Sequence, residues 1–239
     1  MPTAPKWVND ALETLASSMM RTVEVVETTN INPQLKKIRF KGDYKGLRFE
    51  LGYSISFRIN AKDTRHYTVS YGSRKKGILE VIAHLHGHAP GCNFMKQLQP
   101  GDVVKMAIPA GQKQFDPEVK KQLIFGDETS LSLMVAFLPV LQQNEHQYQF
   151  YIELDKENKA VPELLRLKNY TVFPKHDVFR NKEKIRNLPV IKNEEWKDAN
   201  VILTGNVRSL QNFRKVLKEQ HHKGKIYAQG FWLEGKKGL

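Results

Sequence analysis

The sequence predicts a small antiparallel β-barrel followed by an α/β domain built on a parallel sheet. Two observations predict this. The first half carries about six short strand candidates separated by turn residues, the pattern of a small barrel. The second half alternates apolar strands with helical periods, the pattern of a parallel sheet.

The elements follow in order. Residues 9–20 place Leu12, Leu15, Ala16 and Met19 at helical spacing and predict a short amphipathic helix. Residues 22–28 and 36–40 are extended, with a turn at Asn32-Pro33 between them. Residues 47–59 alternate apolar and polar, and Gly52 marks a bulge. Strands over 66–70 and 78–86 flank the basic turn Gly72-Ser73-Arg74-Lys75-Lys76-Gly77, and 101–108 is a further strand. In the second half, 122–125, 147–154, 170–173, 201–204 and 225–232 read as strands, while 129–141 and 207–220 read as helices. The boundary falls in the polar stretch 115–121 around Pro117, so the expected domains are 1–116, a cofactor-binding barrel, and 117–239, an α/β nucleotide-binding domain.

Composition limits the function classes. The chain has 239 residues, 40% hydrophobic and 26% charged, which fits a globular soluble protein. No run approaches the roughly 18 apolar residues of a membrane span, so no stable membrane insertion is expected. The N-terminus lacks an A-x-A-like cleavage site and does not read as a signal peptide. One cysteine, Cys92, rules out an internal disulfide and suits the cytoplasm, the expected location. The net charge of +13 is spread along the chain without a block of five like charges. Zinc-finger spacing and RNA-recognition aromatics are missing, so nucleic acid is not an expected partner. Steering of an anionic small molecule or an acidic protein is the better reading.

Three runs carry chemistry. Arg65-His66-Tyr67-Thr68-Val69-Ser70 lies on a strand, with Arg65, Tyr67 and Val69 on one face and His66, Thr68 and Ser70 on the other. A flavin needs a bidentate cation for its pyrophosphate, an aromatic wall for its ring and a small hydroxyl near its reactive edge. This run supplies all three; it also reads as an ordinary half-buried strand with a surface Arg.

The second run is His84-Leu85-His86-Gly87-His88-Ala89-Pro90-Gly91-Cys92-Asn93-Phe94. A strand ends there, and residues 91–98 open a short helix whose N-terminus can seat phosphate. His84, His86 and His88 share one side of the strand, but no carboxylate or second cysteine stands at a ligand spacing beside them. No metal site is therefore expected, and these histidines are read as lining or flanking a cofactor cavity. The third run, Gly126-Asp127-Glu128-Thr129-Ser130, opens an apolar helix without a G-x-G-x-x-G fingerprint and also reads as a plain capped helix.

In this order and spacing, the three runs resemble the siderophore-interacting proteins, FAD-linked ferric-siderophore reductases of the ferredoxin-reductase-like superfamily. The residues carrying the resemblance are Arg65-His66-Tyr67-Thr68, His86-Gly87, Ala89-Pro90-Gly91-Cys92, Phe94, Pro100-Gly101-Asp102 and Gly126-Asp127-Glu128-Thr129. Thr204-Gly205-Asn206 and Gly230-Phe231-Trp232 are similar to the family's closing motifs. The resemblance implies a barrel that binds FAD and a reductase that acts on an anionic ferric siderophore or similar chelate. It implies NADPH, NADH or reduced ferredoxin as electron donor. Arg65 would hold the FAD pyrophosphate, Tyr67 would pack on the isoalloxazine, and Thr68 would approach its reactive edge, with His66 on the same strand. Gly87, Ala89, Pro90, Gly91, Cys92 and Asn93 would form the phosphate turn beside His84 and His86. Asp127, Glu128 and Thr129 would lie near the nicotinamide or the far side of the ring. Arg74, Lys75, Lys76, Lys236 and Lys237 are the candidate substrate contacts, and each also reads as a solvated charge.

Ala89, Cys92 and Asn206 depart from the family's usual Gly, Ser and Glu, and residues 155–197 show no family motif. A general flavin reductase linked to NAD(P)H or ferredoxin, or a flavin-binding module without turnover, uses the same motifs.

Overall fold

A computed structural model describes residues 20–59, 64–87 and 89–236. Six strands close a barrel: β1 (Met20–Asn32), β2 (Leu35–Gly42), β3 (Ser54–Arg58), β4 (Thr64–Ser73), β5 (Ile78–His84) and β6 (Val103–Ala110). Their order is β1-β2-β5-β4-β3-β6, with every pairing antiparallel. Helix α1 (Pro90–Gln97) sits between β5 and β6 in sequence. The barrel core gathers the inward residues Val25, Ile38, Phe40, Ile55, Phe57, Val69, Leu79, Val81 and Met106, as strand alternation requires.

The second half forms a five-stranded parallel sheet. Its strands are β7 (Lys121–Gly126), β8 (Gln147–Leu154), β9 (Tyr170–Pro174), β10 (Asn200–Asn206) and β11 (Ile226–Trp232), in the order β11-β10-β7-β8-β9. The longer helices are α2 (Leu131–Gln143) and α6 (Val207–Glu219); between them lie α3 (Val161–Leu164), α4 (Lys182–Arg186) and α5 (Pro189–Lys192). The chain builds outward from β7 to β9, then crosses back to β10. That reversal leaves a crevice at the carboxyl ends of β7 and β10, where such sheets bind ligands.

Barrel and sheet share a core. Leu35 and Ile82 of the barrel pack with Leu131, Leu133 and Phe137 of α2 in one buried cluster. The Ser132 hydroxyl accepts from the Ile82 amide at 2.7 Å and donates to its carbonyl at 3.2 Å. A helix side chain thus satisfies a strand backbone position that faces out of the barrel.

The structure leaves one expectation outside its described residues and corrects others. The helix expected over 9–20 lies outside the described residues, except that Met20 begins β1. The strand expected over 47–59 is only β3, because Gly46 and Gly52 take left-handed φ of 74° and 85° and break the extended run. Leu47 still reaches the barrel core, from a loop. Residues 155–197, which show no family motif, supply the edge strand β9 and pack on both faces of the sheet. Their Phe179 is fully buried between Phe125 and Phe213, at ring distances of 4.3 and 5.2 Å. No helix among the described residues is long and apolar enough to cross a membrane.

Lys36 of β2 fixes the direction of α1. Its ammonium is buried and donates to the carbonyls of Met95, Lys96 and Leu98 at 3.2, 3.0 and 2.5 Å. These are the last carbonyls of the helix, which lack intrahelical donors and carry the negative end of its dipole. Burial lowers the Lys36 pKa, and Asp102 opposes that shift.

Two stability outcomes follow. Lys36→Met should lower unfolding free energy in urea by about 2 kcal/mol, because buried carbonyls lose their donor. Phe179→Ala should cost about 3–5 kcal/mol, the range for a large aromatic removed from a packed core. A Phe179→Ala midpoint equal to the parent's would show that residues 155–197 do not complete the sheet's core.

Candidate functional site

The register Val69↔Val81 sets the first part of β4 level with the end of β5. Arg65 and Tyr67 therefore lie at the same end of the barrel as His84, His86 and the turn into α1. Tyr67 turns toward the barrel core, 6.0 Å from the Phe57 ring. Its hydroxyl donates to the Gly91 carbonyl at 3.1 Å, and burial raises the phenol's pKa. The Arg65 guanidinium donates to the Thr64 carbonyl at 2.8 Å. A Cβ on Gly91 would stand 2.9 Å from Arg65 Cγ and 3.1 Å from the Tyr67 hydroxyl. Glycine at 91 is what lets the start of α1 touch both side chains.

The helix start is chemically open. Ala89 is the N-cap and provides no side-chain bond, and Pro90 has no amide to offer. The Asn93 amide makes the first helical bond, to the Ala89 carbonyl at 3.0 Å. The amides of Gly91 and Cys92 belong to the first turn, which has no intrahelical acceptors. Gly87 holds φ of 62°, with no atom within 4 Å of where its Cβ would be.

Other expected residues are placed differently. The Cys92 thiol is buried and lies 3.4 Å from the Gly87 carbonyl, and burial raises its pKa. It points inward, so at Cys92 only the backbone can serve a phosphate. Thr68 is buried on the opposite face of β4 from Tyr67, where α2 packs. His66 is exposed, with Nδ1 2.6 Å from Ser56 Oγ. His88 lies outside the described residues.

A second cluster occupies the seam between barrel and sheet. His84 sits at the end of β5, its ring 5.1 Å from that of His86. Burial depresses its pKa to about 4, against the pull of Glu128. Glu128 is fully buried, and its Oε2 is 2.7 Å from the Lys175 ammonium. Lys175 also bonds Asp155 Oδ2 at 2.9 Å and stands 5.7 Å over the Trp232 ring. Burial works against the Lys175 charge, but Glu128 and Asp155 outweigh it and raise the pKa.

Asp127, at the crevice itself, accepts from the Thr129 amide and hydroxyl, the Asn206 amide and the Trp232 indole, at 2.9, 2.5, 2.8 and 2.7 Å. Burial and the nearby Glu128 raise its pKa. Glu153, deeper in the sheet, is pushed up to about 7 chiefly by burial. In this structure, Asp127 and Thr129 are therefore engaged with each other and with the sheet.

The basic candidates do not converge. Arg74, Lys75 and Lys76 are exposed on the β4–β5 turn, seven residues along the strand from Tyr67 and roughly 20 Å away. Lys76 instead lines a groove of about 290 Å³ with Arg39, Tyr71, Ile78 and Glu80. Lys236 is exposed just past β11, and Lys237 lies outside the described residues. Sequence reading missed Lys175 and Asp155. Both come from the stretch without a motif, and their partners stand on other elements, so no local pattern marks them.

No family model and no curated protein matches the chain. Solved structures do. The siderophore-interacting protein SipS from Aeromonas hydrophila matches at 17% identity and TM-score 0.74, over 92% of this chain and 93% of that one. A mutant ferredoxin-NADP+ reductase from Plasmodium falciparum matches at 12% identity and TM-score 0.67, over 87% and 95%. Full-length CYP116B46 from Tepidiphilus thermophilus matches at 14% identity and TM-score 0.70, and this chain spans 29% of its length. The closed antiparallel barrel joined to a five-stranded parallel sheet is therefore a ferredoxin-reductase-like fold, shared with siderophore-interacting proteins.

Proposed function

We propose that the chain is a FAD-dependent oxidoreductase that reduces ferric siderophores or similar ferric chelates in the cytoplasm, with NADPH, NADH or reduced ferredoxin as donor. The observation that carries this reading is the contact of Gly91 with both Arg65 and Tyr67. It sets a guanidinium, an aromatic ring and an uncapped helix N-terminus side by side. That donor set fits a flavin diphosphate, because a bidentate cation and helix amides both favour phosphate oxygens.

In this reading Arg65 and the amides of Gly91 and Cys92 hold the diphosphate. Gly87, with open space in place of a Cβ, lets the backbone approach it. The Tyr67 ring, fixed by its bond to Gly91, walls the flavin. When bound, the flavin supplies the redox chemistry, taking electrons in pairs and releasing them singly. Asp127, Glu128 and Thr129 stand at the crevice on the donor side. The net charge of +13 draws an anionic chelate toward the protein, and Lys236, exposed just past β11, is one of the basic candidates for its contact. Iron(III) chelators bind through hard oxygen donors and hold iron(II) far less tightly, so reduction frees the metal.

FAD titration followed by absorbance and fluorescence tests the site. The parent chain should take up FAD, and Arg65→Ala should weaken uptake by about tenfold or more, the loss of a charge-assisted pair. Equal affinity in the variant removes Arg65 from the site. Turnover with dyes or quinones but not with ferric chelates would make the protein a general flavin reductase instead.

A further inference from the structure

We propose that His84, Glu128 and Asp155 form a divalent-metal site at the seam between barrel and sheet, which accepts the iron(II) freed by reduction. This rests on the function proposed above. The ligand atoms of the three residues lie within 4.8 Å of one another, although the residues are far apart along the chain. One imidazole and two carboxylates suit first-row divalent ions such as Fe(II), Mn(II) and Zn(II).

The surroundings are arranged as around a metal ligand. Glu128 is fully buried, and its Oε1 accepts from the Asp155 amide at 2.8 Å and Asn158 Nδ2 at 3.0 Å. These bonds aim the other oxygen, Oε2, into the cluster, the role that outer groups play around metal ligands. Asn158 is itself tied to the barrel through Gln34 and Asn32, at 2.9 and 2.8 Å. Asp155 is 42% exposed and opens the site to solvent. The His86 ring stands beside that of His84, 5.1 Å away, outside the three-residue cluster.

A cation already sits between the carboxylates: the Lys175 ammonium, 2.7 Å from Glu128 and 2.9 Å from Asp155. Two carboxylates and one ammonium leave a net negative charge, so a divalent ion gains more from the pair than the ammonium does. Ligands at ~2.1 Å from one ion are at most ~4.2 Å apart, so binding must draw the three residues together. Lys175 must swing aside for the ion, which its unbranched four-carbon stem allows.

The test is a titration of the purified chain with Co(II) alone, read by its visible absorption, with unfolding curves as the folding control. It needs neither flavin nor turnover, so its failure is separate from failure of the reductase reading. The parent should bind one Co(II), while His84→Ala and Asp155→Asn should each weaken binding by about tenfold or more. Lys175→Met, which removes the competing charge, should tighten it. No uptake by the folded parent at millimolar Co(II), or equal affinity in folded His84→Ala and Asp155→Asn, would overturn the site.

Discussion

Asp127 is 1% exposed, at the point where the sheet reverses direction, and the geometry around it depends on keeping its carboxylate satisfied there. Removing such a group from water costs several kcal/mol unless donors replace the lost hydration. Four donors do so, from Thr129 at the head of α2, Asn206 at the head of α6 and Trp232 at the end of β11. One side chain therefore joins the ends of β7, β10 and β11. Gly205 shows how tight the joint is: a Cβ there would lie 2.6 Å from Asp127 Oδ2. Once Trp232 is pinned, its ring underlies Lys175, and Lys175 reaches Glu128 and Asp155 beside His84.

This chain of contacts gathers carboxyl groups at the seam of a molecule that is basic overall. The protein carries +13, yet Asp127, Glu128 and Glu153 are all buried near the carboxyl ends of the strands. Lys175 offsets part of that charge, and the raised pKa of Glu153 offsets more near neutral pH. A basic molecule can carry an acidic cluster, because total charge sets the long-range field while local contacts set the short-range one.

The two candidate centres are held by different parts of the fold. The proposed flavin-diphosphate end is organised within the barrel, where Lys36 anchors one end of α1 and Gly91 brings the other against Arg65 and Tyr67. The acidic cluster exists only because α2 packs on the barrel and brings Glu128 to His84. Solved structures with the same architecture bear the names of siderophore-interacting proteins, a ferredoxin-NADP+ reductase and a much longer CYP116B46. A fold so widely used leaves function to particular side chains.

The sequence alone determined the two-part architecture, because strand alternation and helical periods are local and survive without tertiary context. It also marked Arg65, Tyr67, the turn at 86–93 and the run 126–129, since each lies within a few residues of its motif partners. It misjudged 47–59, where left-handed glycines override an alternating pattern. Only the tertiary structure placed Lys175 and Asp155 beside Glu128, turned the Cys92 thiol inward, and set Arg74, Lys75 and Lys76 at the far end of the hairpin. Those outcomes depend on contacts between residues distant along the chain, and local pattern carries no record of which surfaces will meet.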